Sequence, residues 1–269
     1  MVQAWRTAVA IVVLAWLSSS HARAAGPQFR IDNAVFAGAS AQPLAESTTL
    51  FLDGRIYDFL TDPLETTIVD PAADRITLID VRLRLTTRLA MSVLDSYAEQ
   101  LRERTIKLAA QSASDAQRRQ YLTFLAQPTF SDTLHEGERL RLASSWLTYE
   151  VTTVPLDDSE QLAAYVTFSD TYARLNALLS PRRMPPFPRL ALNEVLRREH
   201  SFASRVELTV QPPASDPSQR VHLRSEHRLV SELRAVDRRR IEAVLAGAVS
   251  FDEVDFATYR TRTVRPAAR

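Results

Sequence analysis

The chain has no cysteine. No disulfide can staple it, no thiol can act as a nucleophile or a metal ligand, and no lipid can be attached to an N-terminal cysteine. Stability has to come from a packed core. Glycine is also scarce, with five in 269 residues. Loops that cradle phosphates use glycine to bring backbone close to the ligand, so nucleotide chemistry has little material to work with. There is no G-x-x-x-x-G-K-[ST] loop, no G-x-S-x-G elbow and no H-E-x-x-H pair. Lysine occurs once, as Lys107, and the other basic residues are arginines. The formal net charge is +1. So balanced a chain has no general field for nucleic acid.

Long apolar runs are missing everywhere but the N-terminus. Arg6 precedes eleven apolar or small residues, Thr7 to Leu17, followed by a small, polar stretch ending Ala22-Arg23-Ala24. This is the pattern of a cleaved signal peptide over 1–24, with the mature chain starting at Ala25. The run is too short to span a bilayer, which takes roughly 20 apolar residues. The expected destination is the periplasm or the extracellular space, with no transmembrane segment in the mature chain. Residues 1–24 carry Arg6 and Arg23 and no acid, so the mature chain has 31 basic and 32 acidic side chains, or −1.

Residues 48–89 most clearly demand a structure. Asp53-Gly54 lies between Leu50-Phe51-Leu52 and Arg55-Ile56-Tyr57. A two-residue Asp-Gly loop between apolar runs predicts a type I′ hairpin, because both central residues need positive φ. Asp70-Pro71-Ala72-Ala73-Asp74 predicts a second reversal. From Ile79 to Leu89, Ile79, Val81, Leu83, Leu85 and Leu89 alternate with Asp80, Arg82, Arg84 and Arg88. That period of two predicts one long strand with an apolar and a charged face, and a bulge near Ile79 where the phase changes. The arginine face reads as a solvated sheet face, with anion binding as the alternative.

Phe29 to Phe36 predicts a first strand, followed by a loop over 38–46. Leu94, Ala98, Leu101, Thr105 and Leu108 predict a helix from Ser92 to Ala110, and a second covers Ala116 to Ala126. Thr129–Leu134 and Glu138–Val154 predict a hairpin about Glu136-Gly137. Asp157-Asp158-Ser159 caps a helix reaching Ser180. Four prolines between Pro181 and Pro188 predict a stiff loop, then a short helix over Glu194–Glu199. Val206–Val210 and Val221–Glu226 predict a third hairpin. Leu229 to Val249 reads as helix, Phe251 to Tyr259 as a last strand, and 260–269 as a basic tail.

The expected fold is therefore α+β. It has one largely antiparallel, curved sheet built from hairpins and covered by amphipathic helices, as a single domain over 25–259. Alternating amphipathic strands and covering helices, together with the export signal, resemble bacterial lipoprotein-carrier half-barrels. That resemblance implies a curved sheet closed by helices around an apolar cavity, and it carries over no site residue.

Candidate chemistry is sparse. His222 and His227 are five apart on one strand, so they face opposite ways and make no metal pair. His227 could serve as a base only with distant Ser and Asp partners. Asp70 and Asp74 could hold calcium, but turn chemistry already explains both. No catalytic, metal or cofactor site is assigned. The first expectation is a non-enzymatic exported module that binds a small apolar ligand or an envelope protein. The alternatives are an exported hydrolase with a site assembled from distant residues, and an assembly subunit docking by an edge strand or the proline-rich loop.

Overall fold

The computed structural model describes residues 26–181, 184–214 and 220–263. The predicted signal peptide and the end of the basic tail lie outside the described residues. An antiparallel meander opens the chain: β1 (Phe29–Ala37), β2 (Pro43–Leu52), β3 (Arg55–Leu60), β4 (Glu65–Asp70), β5 (Arg75–Asp80) and β6 (Leu85–Ala90). Two helices follow, α1 (Met91–Gln111) and α2 (Ala116–Ala126), then β7 (Asp132–Glu136), β8 (Arg139–Ala143) and β9 (Leu147–Pro155). Next come α3 (Ser159–Leu179), α4 (Phe187–Arg198), β10 (Ser201–Val210), β11 (Val221–Val230), α5 (Ala235–Ala248), β12 (Asp252–Glu253) and α6 (Phe256–Thr263).

The strands form one open twelve-stranded sheet in the order β12-β6-β5-β4-β3-β2-β1-β11-β10-β9-β8-β7. All neighbours are antiparallel except β12 and β6. The α+β class and the largely antiparallel sheet follow the expectation. β1 and β11 join the N-terminal meander to the C-terminal strands, with Arg30 opposite Val230.

One face of the sheet is packed by helices. Phe29, Ile31, Phe51, Ile56, Val69, Ile76 and Leu78 meet Leu94 of α1, Leu162, Tyr165 and Leu175 of α3, and Tyr259 of α6. Further along, Leu140, Leu142, Tyr149, Val151 and Val206 meet α2 through Tyr121 and Phe124, and α4 through Leu192 and Leu196. The opposite face is covered over β2–β4, where α5 sets Ile241 on Leu50, Tyr57 and Phe59.

The turn chemistry is local. Asp53 and Gly54 both have positive φ, 53° and 73°, as a type I′ turn requires. Asp70 accepts a hydrogen bond from the Ala73 backbone N–H and opens a short 3-10 turn that ends at Asp74, with φ 47°. Asp158 caps α3 by accepting from Glu160 and Gln161.

Several expectations are corrected. The long strand over 79–89 is two strands with a turn at Val81–Arg84. The buried Asp80 carboxylate accepts from the Leu83 N–H at 2.7 Å, which reverses the chain. Leu83 is thus 38% exposed rather than core, and Arg84 sits at φ 55°. β4 and β5 pair in unbroken register, so no bulge occurs at Ile79.

The arm over 138–154 is also two strands. The change of phase between Leu142 and Leu147 marks the turn, where Ser144 Oγ bonds the N–H groups of Trp146 and Leu147. α4 begins at Phe187, because Pro186 and Pro188 suit a helix start, where their missing N–H groups cost nothing. Residues 229–230 belong to β11, α5 begins at Ala235, and residues 256–263 form a helix rather than a strand. The loop over 38–46 is shorter than expected, since β2 starts at Pro43.

Candidate functional site

The face of the sheet opposite α1–α4 is open between β2 and β9. A groove of about 790 Å³ lies there, lined by Arg30, Asp32, Glu46, Thr152, Arg205 and Arg228 among others. Strand periodicity builds it. Arg30 and Asp32 on β1 alternate with the core residues Phe29 and Ile31, and Arg228 lies opposite Asp32 across the β1–β11 pair. A register shift between Ala203 and Arg205 carries Ser204 into the lining, and its hydroxyl donates to the Thr152 carbonyl.

Charges in the groove are largely matched. Asp32 pairs with Arg30 at 2.8 Å and with Arg228 at 2.7 Å. Burial alone would raise the Asp32 carboxyl, but the hydrogen bonds from Arg30 and Arg228 outweigh it and hold it below the ordinary carboxylate value. Arg30 also reaches Asp237 at the start of α5, at 3.2 Å. Arg224 pairs with Glu226, and Arg205 with Glu207. Arg228 is 70% exposed, so its charge remains offered to solvent. The groove holds no Phe, Tyr or Trp among its lining residues. It suits a polar, hydrogen-bonding ligand of mixed charge.

The helix-packed face carries a chain of polar groups through the core. His227 lies opposite Asn33 in the β1–β11 register, and its Nδ1 is 2.8 Å from Asn33 Oδ1. Asn33 Nδ2 donates to Ser47 and Thr49, the Thr49 hydroxyl donates to Asp58 at 2.7 Å, and the Tyr172 hydroxyl donates to Asp58 at 2.6 Å. Because Asn33 spends its N–H groups on β2, its oxygen faces His227, so Nδ1 carries the proton and Nε2 the lone pair. Nε2 is shielded from water and has no hydrogen-bond partner among the described residues. Burial, with a smaller push from the Arg189 guanidinium, lowers the His227 pKa to about 3. Burial also raises the Asp58 carboxyl, although Tyr172 and Thr49 oppose it.

This arrangement bears on the hydrolase alternative. His227 bonds an amide through Nδ1, and its Nε2 meets neither a serine nor an acid at hydrogen-bond distance among the described residues. A second cleft, about 420 Å³, is lined by Ser159, Asp170 and His200 together with Leu162, Val166 and Arg197. The three residue types of a triad share this cleft, but no hydrogen bond links them. Asp170 is held instead by Asn193 at 2.7 Å and Arg197 at 3.1 Å. His222 faces the other way, beside Gly38, as the strand period requires. Asp70 is held by Arg55 and Arg75, and Asp74 by Ser92, and no group of three metal-ligating side chains occurs among the described residues.

The groove's signals were present in the sequence, in the alternating charges of 30–32, 205–207 and 224–228. What joins them is pairing between strands some 200 positions apart, which has no local signature. Asp58 was the more legible sign, an acid set among Ile56, Tyr57, Phe59 and Leu60.

No protein-family model matches this chain, and no curated protein matches it. Among the described residues, no helix is long and apolar enough to cross a membrane.

Proposed function

We propose that this is an exported, non-enzymatic binding module that engages a polar ligand or partner on the open face of its sheet. One observation carries the reading. The helix-packed face is filled by side chains, whereas the opposite face keeps a wide groove whose charged groups stand on a five-strand floor, β2-β1-β11-β10-β9. Sites on strands hold their side chains with little freedom, which lowers the entropy lost on binding. The matched pairs Asp32–Arg30 and Asp32–Arg228 also keep the empty groove stable, so no ligand is needed to neutralise it. The N-terminal signal pattern supports export.

Native mass spectrometry of the mature chain from the exporting compartment tests this. A stoichiometric small molecule is expected on the wild type and absent from Arg205→Glu/Arg228→Glu. An adduct indifferent to that double change, or none at all, removes the groove as the site. Ester or glycoside hydrolysis lost on His200→Ala or His227→Ala, with the fold intact, would overturn the non-enzymatic reading. A stoichiometric protein in place of a small molecule would favour an assembly subunit. β7 would be its natural contact, being an edge strand with all five residues exposed.

A further inference from the structure

A separate cleft on the same face, beyond α5, has the opposite character from the groove. Its floor is a patch of β3–β6 side chains that includes Tyr57, Ile68 and Ile79, and its wall is the last turn of α5, with Leu245, Ala248 and Val249. Leu245 is 42% and Val249 87% exposed, so the apolar surface standing in water is that of the α5 end and the half-buried Ile68, above Tyr57 and Ile79, which are 4% and 1% exposed. Single exposed apolar residues are ordinary, but a contiguous set along a recess marks a contact surface.

The rim supplies the other half. Arg55, Asp70 and Arg75 stand side by side on β3, β4 and β5, and both guanidinium groups turn to the same oxygen, Asp70 Oδ2, at 2.9 Å and 3.5 Å. Asp70 is 8% exposed at its side chain, and the two arginines are about half exposed. One buried carboxylate therefore holds two cations. A single negative charge cannot neutralise both, and each guanidinium has five N–H donors to offer. Arg88, also on the rim, is already matched by Glu253 at 2.5 Å. The surplus cation is thus confined to the Arg55–Arg75 end.

The helix end orients the occupant. α5 finishes near the β6 start, where Ser250 bonds Arg84 and Asp252 lies beside Leu85. Arg75 begins β5 and Ile79 comes four residues later, about 13 Å along the strand. The partial negative charge of a helix C-terminus repels an anionic head, so the head belongs at Arg55 and Arg75 and the apolar part under Leu245 and Val249.

From this we infer that the cleft binds a small amphiphilic carboxylate, its head on Arg55 and Arg75 and its short apolar chain between Ile68, Ile79 and the end of α5. The volume, about 250 Å³, holds on the order of eight small groups at about 30 Å³ each. A medium-chain carboxylate has this size. The site does not depend on the groove, and neither result bears on the other.

Calorimetric titration of the full mature chain with octanoate, octanol and acetate tests the assignment. Octanoate should bind once per chain, with octanol and acetate each at least about tenfold weaker, because one lacks the head charge and the other the tail. Arg75→Gln and Val249→Asp should each weaken octanoate about tenfold. Both positions are at the surface, and a thermal melt confirms that each variant is folded. Octyl phosphate binding more tightly than octanoate would overturn the carboxylate assignment. No octanoate binding, equal affinity for octanol, or undiminished affinity in either variant would overturn the site.

Discussion

Lowering the pH should unfold this protein through His227. The sign follows from the direction of its shift. In the unfolded chain the imidazole takes a proton near the ordinary value of 6.5, whereas burial in the fold holds it off until about 3. Below 6.5 the unfolded state therefore binds one proton more than the native state, and stability falls as the pH falls. Above 6.5 both states are neutral and the contribution is complete. Between those limits the slope approaches about 1.4 kcal/mol per pH unit. From pH 6 to pH 4 that amounts to roughly 2.5 kcal/mol, reduced somewhat because part of the His227 surface still touches water. Asp58, shifted upward by burial, acts in the opposite sense, since its protonation favours the fold as the pH falls. The comparison must therefore be made against a variant. In His227→Gln an amide N–H can still donate to Asn33, but nothing titrates. Urea unfolding at pH 7, 6, 5 and 4 should show the wild type losing about 2 kcal/mol more than the variant between pH 6 and 4. Parallel pH profiles would refute the reasoning, and with it the burial of the ring nitrogens.

Leu78→Arg should be severely destabilising, by more than about 4 kcal/mol, because Leu78 is 4% exposed and would place an unpaired charge in the core. Leu83→Arg should stay within about 0.5 kcal/mol, since Leu83 stands on a turn; equal thermal melts of the two variants would mean the 80–85 hairpin is wrong. Tyr172→Phe should cost about 1.5–3 kcal/mol by removing one of the donors to the buried Asp58 carboxyl, and an unchanged melt would show that water takes its place.

Local chemistry made part of this fold legible. Asp53-Gly54, Asp70 to Asp74 and Asp158 are each bound to backbone within three residues or set at the φ their type allows, so their effect shows in a short window. The errors also have local causes. Val81 to Arg84 continues the apolar–arginine alternation of its neighbours, so the period survives straight through a turn made by one buried side chain, Asp80. Leu147, Tyr149 and Val151 change phase relative to Leu140 and Leu142, and that change was the mark of the turn at Ser144. Leu108 kept helical spacing yet is 49% exposed, because the buried stripe of α1 runs through Leu94, Ala98, Thr105 and Ala109 and leaves Leu108 beside it. Periodicity reports which residues share a face, not whether anything packs on it.

The pairing of β1 with β11 ties the two halves of the sheet together. It brings residue 30 against residue 230, so it forms only when the N-terminal meander meets the strands that close the chain. Loop-closure entropy makes such a pairing costly, and something must specify it against a slipped register. A slip by one residue would turn Asp32 into the core and Ile31 into water. The seam carries a polar lock on each side that works only in the native register: Asp32 with Arg228 on the open face, and Asn33 with His227 on the packed one. Asn33 and His227 also line the floor of the groove. A proton on His227 would set a buried cation against the seam that holds Arg30, Asp32 and Arg228 in place. Loss of the lock on the packed face would therefore loosen the seam, and with it both the open-face groove and the packing of Phe202, whose ring lies 6.5 Å from that of His227.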